Sequence, residues 1–246
     1  SCFKDEHLML HHLGRETYLC PMKWDEQRWP VMGEGGKLSL NMAGDLPGLP
    51  ENDAAVNYTD NFRTEQLDIH YNFLRNPIME NYKVDTAAGR LILQGTEVTI
   101  NESRNPTWIG IRQPGFKIDF AVTVGAEELK NGGRIGITAF YNESYHYDMY
   151  LQKKGKKLNL YLEKHVHDIV SVTHTAEVTG YKEIRLIIES GRKWYRFLYA
   201  DNKGRLCELG TGMAAGLATE GTRTMTFTGT YLAMFAERGR GYFKEL

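Results

Sequence analysis

The side chains best suited to chemistry are crowded near the start of the chain. They are His11-His12-Leu13-Gly14-Arg15-Glu16-Thr17-Tyr18-Leu19, followed by Trp24-Asp25-Glu26 and Trp29-Pro30-Val31. Arg15 stands out, because a guanidinium presents fixed planar donors that suit hydroxyl groups or a carboxylate. Glu16 and Asp25 are its natural ion-pair partners. Adjacent residues on an extended segment face opposite ways, so His11 and His12 cannot both enter one pocket. No two carboxylates anywhere in the chain can be assigned as a general acid and base, and no catalytic residue is expected. No EF-hand-like Asp run is present, and neither a metal nor a cofactor is expected. His165-Val166-His167 places two rings on one face of an expected strand, a pattern that seldom means a metal.

Composition narrows the classes. The 246 residues are 41% hydrophobic and 25% charged, as in an ordinary globular protein, with a formal charge of −1. That balance offers no electrostatic footprint for nucleic acid or anionic lipid. No apolar run approaches the ~18 residues of a membrane span. Lys153-Lys154-Gly155-Lys156-Lys157 reads as a solvated hairpin turn. Cys2, Cys20 and Cys207 are odd in number and widely spaced, which favours reduced thiols over a disulfide framework. The expected compartment is therefore the cytoplasm, or the periplasm or exterior if a signal peptide preceded Ser1.

The elements that must position these residues are short and β-rich. Residues 1–32 carry the polar cluster. Residues 33–57, punctuated by Gly33, Gly35, Gly36, Gly44, Pro47, Gly48 and Pro50, read as a linker or surface crossing. From residue 58 to 246 the pattern is that of strands. Phe116 to Val124 alternates strictly, the period of a half-buried strand. Further runs follow at Ile135–Tyr141, Tyr145–Leu151, Lys157–Leu162, Ile169–Thr173, Ile184–Glu189, Trp194–Tyr199 and Met225–Phe235, separated by turn residues. About ten short strands with few helical patterns predict an all-β antiparallel sandwich of the jelly-roll type.

Two sets of motifs carry a family resemblance. The run from His11 to Thr17, with Trp24-Asp25-Glu26 and Trp29-Pro30, resembles the closing segment of the five-bladed catalytic propeller of family 43 glycoside hydrolases. That family is the β-xylosidase and α-L-arabinofuranosidase group. Asn72-Phe73-Leu74-Arg75-Asn76-Pro77, Gly110-x-Arg112-Gln113, Phe140-Tyr141-Asn142-Glu143-x-x-x-Tyr147 and Phe227-Thr228-Gly229 resemble the concanavalin A-like β-sandwich that follows that propeller. The resemblance implies three parts: 1–32 as the end of a propeller, 33–57 as a linker, and 58–246 as the sandwich.

It also implies roles. Arg15 would line the sugar subsite and bind substrate, and Phe227 would wall off the pocket. Of the two histidines at most one can touch sugar, with His12 the candidate and an ordinary exposed or core histidine the alternative. The three carboxylates of the family would lie on propeller blades preceding Ser1. The implied function is that of the C-terminal part of an inverting, exo-acting hydrolase of xylo-oligosaccharides or arabinosides. A stand-alone lectin-like module is the alternative. The apolar residues Leu8, Leu10, Leu13, Tyr18, Leu19, Trp24, Trp29 and Val31 imply a cover, supplied by a propeller, by a second copy of the chain or by folding back on the sandwich. Arg75, Asn76, Arg112, Gln113 and Asn142 are expected in buried polar networks that support the concave face of the sandwich. Trp108, Trp194, Tyr145, Tyr147 and Tyr150 could stack on sugar but are better read as cross-strand packing.

Overall fold

Strand alternation sorts the side chains of residues 58–246 into an inner and an outer set, and two sheets close over the inner one. The computed structural model describes residues 3–5, 8–15, 17, 19–39, 42, 58–222, 224–225 and 227–246. It divides into two compact units, 1–15 with 58–246, and 16–57. Near the start lie two small hairpins, β1 (Phe3–Asp5) with β2 (Leu8–Leu10), and β3 (Met22–Trp24) with β4 (Pro30–Met32). Then come β5 (Asn72–Phe73), β6 (Tyr82–Asp85), β7 (Arg90–Gln94), β8 (Thr107–Arg112) and β9 (Asp119–Gly125). The long strands β10 (Arg134–Asn142), β11 (Tyr145–Lys154), β12 (Lys157–Val166) and β13 (Ile169–Glu177) follow as consecutive hairpins. The remainder is β14 (Glu183–Ser190), β15 (Trp194–Ala200), β16 (Leu206–Met213), β17 (Tyr231–Glu237) and β18 (Arg240–Lys244).

The first sheet runs β13-β12-β11-β10-β17-β8-β5 and the second β16-β15-β14-β9-β18-β7-β6. Every ladder in them is antiparallel. This is the sandwich expected from the alternation. The inner set includes Phe120, Val122 and Val124 of β9, Ile135 and Ile137 of β10, and Leu232 and Met234 of β17. At roughly 25 cal/mol per Å² of apolar surface removed from water, such a core holds the two sheets face to face. The lysine cluster forms the β11–β12 turn, with Gly155 at φ 60° and its N–H donated to Asn131 Oδ1 at 2.8 Å. β18 pairs with both β7 and β9, so the last strand closes the centre of the second sheet.

The outer face of the first sheet is also covered over its middle strands. Trp108, Phe140, Tyr150, Tyr161 and Phe235 form a second apolar cluster under Ile100, whose N–H is donated to Glu237 Oε1 at 3.0 Å. Arg134 lies between Glu163 (3.1 Å) and Glu237 (3.9 Å), and burial raises the Glu237 carboxyl above its ordinary range. Here the aromatic residues pack rather than wait for sugar. Tyr145 and Tyr147 sit between the sheets, Trp108 and Tyr150 beneath Ile100, and of the five only Trp194 is exposed. Cross-strand packing, not a stacking platform, accounts for them.

In the unit of residues 16–57, the Trp-Asp-Glu…Trp-Pro motif makes the β3–β4 hairpin. Asp25 shapes its turn, accepting the Trp29 N–H on Oδ1 at 2.7 Å while Arg28 adopts φ 66°. Glu16 and most of the expected linker, 40–41 and 43–57, lie outside the described residues. Cys20 and Cys207 are free thiols.

Candidate functional site

Arg15 and Phe227 come from opposite ends of the chain and meet because two turns dock through their main chains. The Arg15 N–H is donated to Phe227 O at 2.8 Å, and the Thr230 N–H to His12 O at 2.8 Å. Between these bonds the backbones touch at two glycines, Gly14 (φ 75°) and Gly229 (φ 76°). A Cβ on Gly14 would stand 2.5 Å from Gly229 N, and one on Gly229 would stand 2.3 Å from the Leu13 carbonyl carbon. Only glycine tolerates both the left-handed backbone and that approach. The strand expected over Met225–Phe235 therefore begins only at Tyr231, and Met225 and Phe227 sit on an exposed turn.

The Gly110-x-Arg112-Gln113 motif lies where β8 ends and anchors both turns. Arg112 Nη2 donates to Leu13 O (2.8 Å) and Arg15 O (2.6 Å). The Gln113 N–H is donated to Thr230 O at 3.0 Å, and its buried side chain is held by Tyr195 OH (2.8 Å) and Gly115 O (2.8 Å). A third piece, the loop after the 3-10 turn Ala214–Leu217, is tied to β10. Tyr141 OH meets Thr219 Oγ1 at 2.9 Å, and Asn142 Nδ2 donates to Thr224 Oγ1 at 2.7 Å. Of the polar motif residues, Gln113 and Asn142 hold the turns as expected of a supporting network. Arg112, by contrast, is exposed rather than buried.

Together these pieces line an open cleft of about 230 Å³ formed by His11, Gly14, Arg15, Thr219, Glu220, Met225 and Phe227. The Arg15 guanidinium stacks over the Phe227 ring, 4.0 Å from its centroid, a cation–π contact. His11 is fastened to Glu220 twice. Its backbone N–H is donated to Oε2 at 2.8 Å, and its Nδ1 contacts Oε1. Burial would raise the Glu220 carboxyl, but the hydrogen bonds from His11 outweigh it and hold the group below its ordinary value.

His12 requires a correction. Its ring is fully buried, with the Phe116 ring 5.2 Å and the Tyr195 ring 6.1 Å away, and it does not line the cleft. Desolvation depresses its pKa to about 4. The rule that neighbouring histidines part company holds, and His11 is the one that faces the cleft. Glu220 gave no signal in the sequence, since its partner lies 209 residues away.

A fixed cation, an imidazole, a carboxylate, a hydroxyl and an exposed aromatic ring make a surface matched to a small polyol. The polar groups bond hydroxyls and the ring covers an apolar sugar face. Among the described residues the cleft holds one carboxylate, already engaged, which does not make an acid–base pair.

The fold and this cleft define a sandwich module with a sugar-compatible edge, and comparison with known proteins makes the class specific. Residues 59–243 match the family model of the beta xylosidase C-terminal Concanavalin A-like domain. The chain belongs to that family. A non-reducing end alpha-L-arabinofuranosidase of Bacteroides ovatus is 26% identical over 234 residues, covering 92% of this chain and 42% of the relative. A xylosidase/arabinosidase of Butyrivibrio fibrisolvens is 27% identical over 148 residues, covering 59% of this chain and 28% of the relative. Among solved structures, a Bacteroides ovatus xyloglucan-locus family 43 protein superposes with a TM-score of 0.79 at 24% identity, over 96% of this chain and 48% of that one. The xylan beta-1,4-xylosidase of Bacillus halodurans C-125 superposes with a TM-score of 0.83 at 18% identity, over 96% and 48%. The chain thus spans less than half the length of these relatives.

Proposed function

We propose that the chain is the C-terminal part of a glycoside hydrolase that removes sugar units from xylo-oligosaccharides or arabinosides, inverting and exo-acting. In this reading its cleft forms one wall of the substrate pocket, Arg15 bonds sugar hydroxyls and Phe227 closes the far side. The observation that carries this reading is the Arg15–Phe227 stack at one cleft, 4.0 Å from guanidinium to ring. The relatives' names favour it over a stand-alone lectin-like module. The acid and base would come from the propeller of the same hydrolase. Millimolar D-xylose or L-arabinose added to the labelled chain should shift amide and side-chain resonances of His11, Arg15, Glu220 and Phe227. Arg15→Ala should abolish the response, as expected when a charged hydrogen-bond donor worth about 1.5–3 kcal/mol is lost. A response centred elsewhere, for example on Trp194, would refute the assignment.

The 16–57 unit fits the same reading. Leu19, Trp24 and Trp29 are 76%, 66% and 71% exposed, and Met22, Met32 and Leu38 are exposed beside them in sequence. Large apolar side chains in such number mark an association surface. In the proposed hydrolase the propeller covers them, and in the isolated chain a second copy does. Light scattering should show a dimer or larger species that Trp24→Ser with Trp29→Ser converts to monomer. A wild-type chain that stays monomeric at high concentration would count against the covered face.

A further inference from the structure

We propose that Arg112 is the positioning residue of the cleft, and that its grip on two main-chain carbonyls sets where the Arg15 side chain stands over Phe227. Arg112 is not among the residues that line the cleft. Its Nη2 reaches Arg15 O at 2.6 Å and Leu13 O at 2.8 Å, one on each side of Gly14. A glycine at φ 75° has wide backbone freedom, so the turn does not define its own shape. Arg112 does have a fixed origin. β8 is laddered to β17, with Arg112 opposite Tyr231, and its next residue, Gln113, bonds Thr230. The same strand end therefore fixes the carbonyl of Arg15 and the turn that carries Phe227. The 4.0 Å stack rests on both being referred to one anchor as well as on the direct bond from the Arg15 N–H to Phe227 O. A hydrogen bond from a charged donor is roughly twice as strong as a neutral one, and Arg112 makes two of them to this turn.

The assignment of sugar to this cleft rests on the function proposed above, whereas the control of Arg15 by Arg112 does not. Both are read in one experiment on the full chain, following the Arg15 Nε–Hε resonance by NMR alone and with millimolar D-xylose or L-arabinose. In the wild type, the Phe227 ring should displace that resonance upfield, and Phe227→Ala should return it to the position of a free arginine. Arg112→Ala should do the same and abolish the sugar response, while the amide spectrum of the sandwich core and the Tm stay close to wild type. Arg112→Lys, which restores one charged donor, should recover part of both signals. If Arg112→Ala unfolds the chain, Arg112→Lys decides, by showing intermediate or wild-type Arg15 signals. An unchanged Arg15 resonance in the folded variant, or a lowered Tm with the Arg15 signals intact, would overturn the positioning role. If sugar shifts nothing in the wild type but Arg112→Ala still frees Arg15, the ligand assignment falls and the positioning role stands.

Discussion

Purified on its own, the chain should leave aryl β-xylosides and aryl α-L-arabinofuranosides intact. Its rate should be indistinguishable from background, on the order of a millionfold or more below that of a working glycosidase. Glycoside hydrolysis needs two carboxyl groups flanking the bond, ~6.5–9.5 Å apart for inversion and ~5–5.5 Å for retention. Among the described residues Glu220 is the one carboxylate lining the cleft, and His11 occupies both its oxygens. Its depressed pKa also makes it a poor proton donor. The other concentration of acids, Asp148, Glu163 and Glu237, is closed to substrate. These residues are 2%, 5% and 3% exposed, and the nearby Ile100, bonded to Glu237, is itself buried. Turnover by the purified chain that disappears in Glu220→Gln, or in Glu163→Gln, would refute this and show that the chain carries its own acid–base pair.

The sandwich was legible because its signal is local. Strict alternation in 116–124 and turn residues at short intervals specify strands without knowledge of their partners, and β9 and the β10–β13 hairpins follow from them. The cleft was legible only through family likeness. Arg15 and Phe227 could be named from their motifs, but nothing local reveals that Gly14 and Gly229 bring their turns together. His11 and Glu220 illustrate the limit, since a pair separated by almost the whole chain leaves no spacing to read. The two histidines show a subtler one. Alternation says they face apart, but which side is the interior depends on Phe116 and Tyr195, far along the sequence. The same dependence on distant residues ends the expected Met225–Phe235 strand early. A glycine at φ 76° that must touch Leu13 cannot also sit in a ladder.

Acid should destabilise this chain, and His12 should be the largest single cause. Buried against Phe116 and Tyr195, its imidazole is desolvated and its pKa falls to about 4. The unfolded chain takes up that proton near pH 6.5, while the folded one refuses it until about pH 4. Stability is therefore full above about pH 6.5, declines as pH falls through that window, and levels below it. The loss amounts to on the order of 3 kcal/mol, at 1.36 kcal/mol per pH unit of displacement. His165, also depressed by burial, works in the same direction. Glu237 opposes them, because a carboxyl raised by burial favours the folded state at low pH and loses that contribution as pH rises. Urea unfolding from pH 7.5 to 4 should show the decline in the wild type and a much flatter profile in His12→Phe, which keeps an aromatic ring between Phe116 and Tyr195 but cannot take a proton. His12→Gln separates the proton from the polar atoms. It too should flatten the profile, even if its stability at pH 7.5 is lower. Because His12 O holds Thr230 and so the Phe227 turn, the acid form should also loosen the Arg15–Phe227 stack before the sandwich unfolds. An acid limb as steep in His12→Phe as in the wild type would show that the proton enters elsewhere, and the buried-imidazole account would fail.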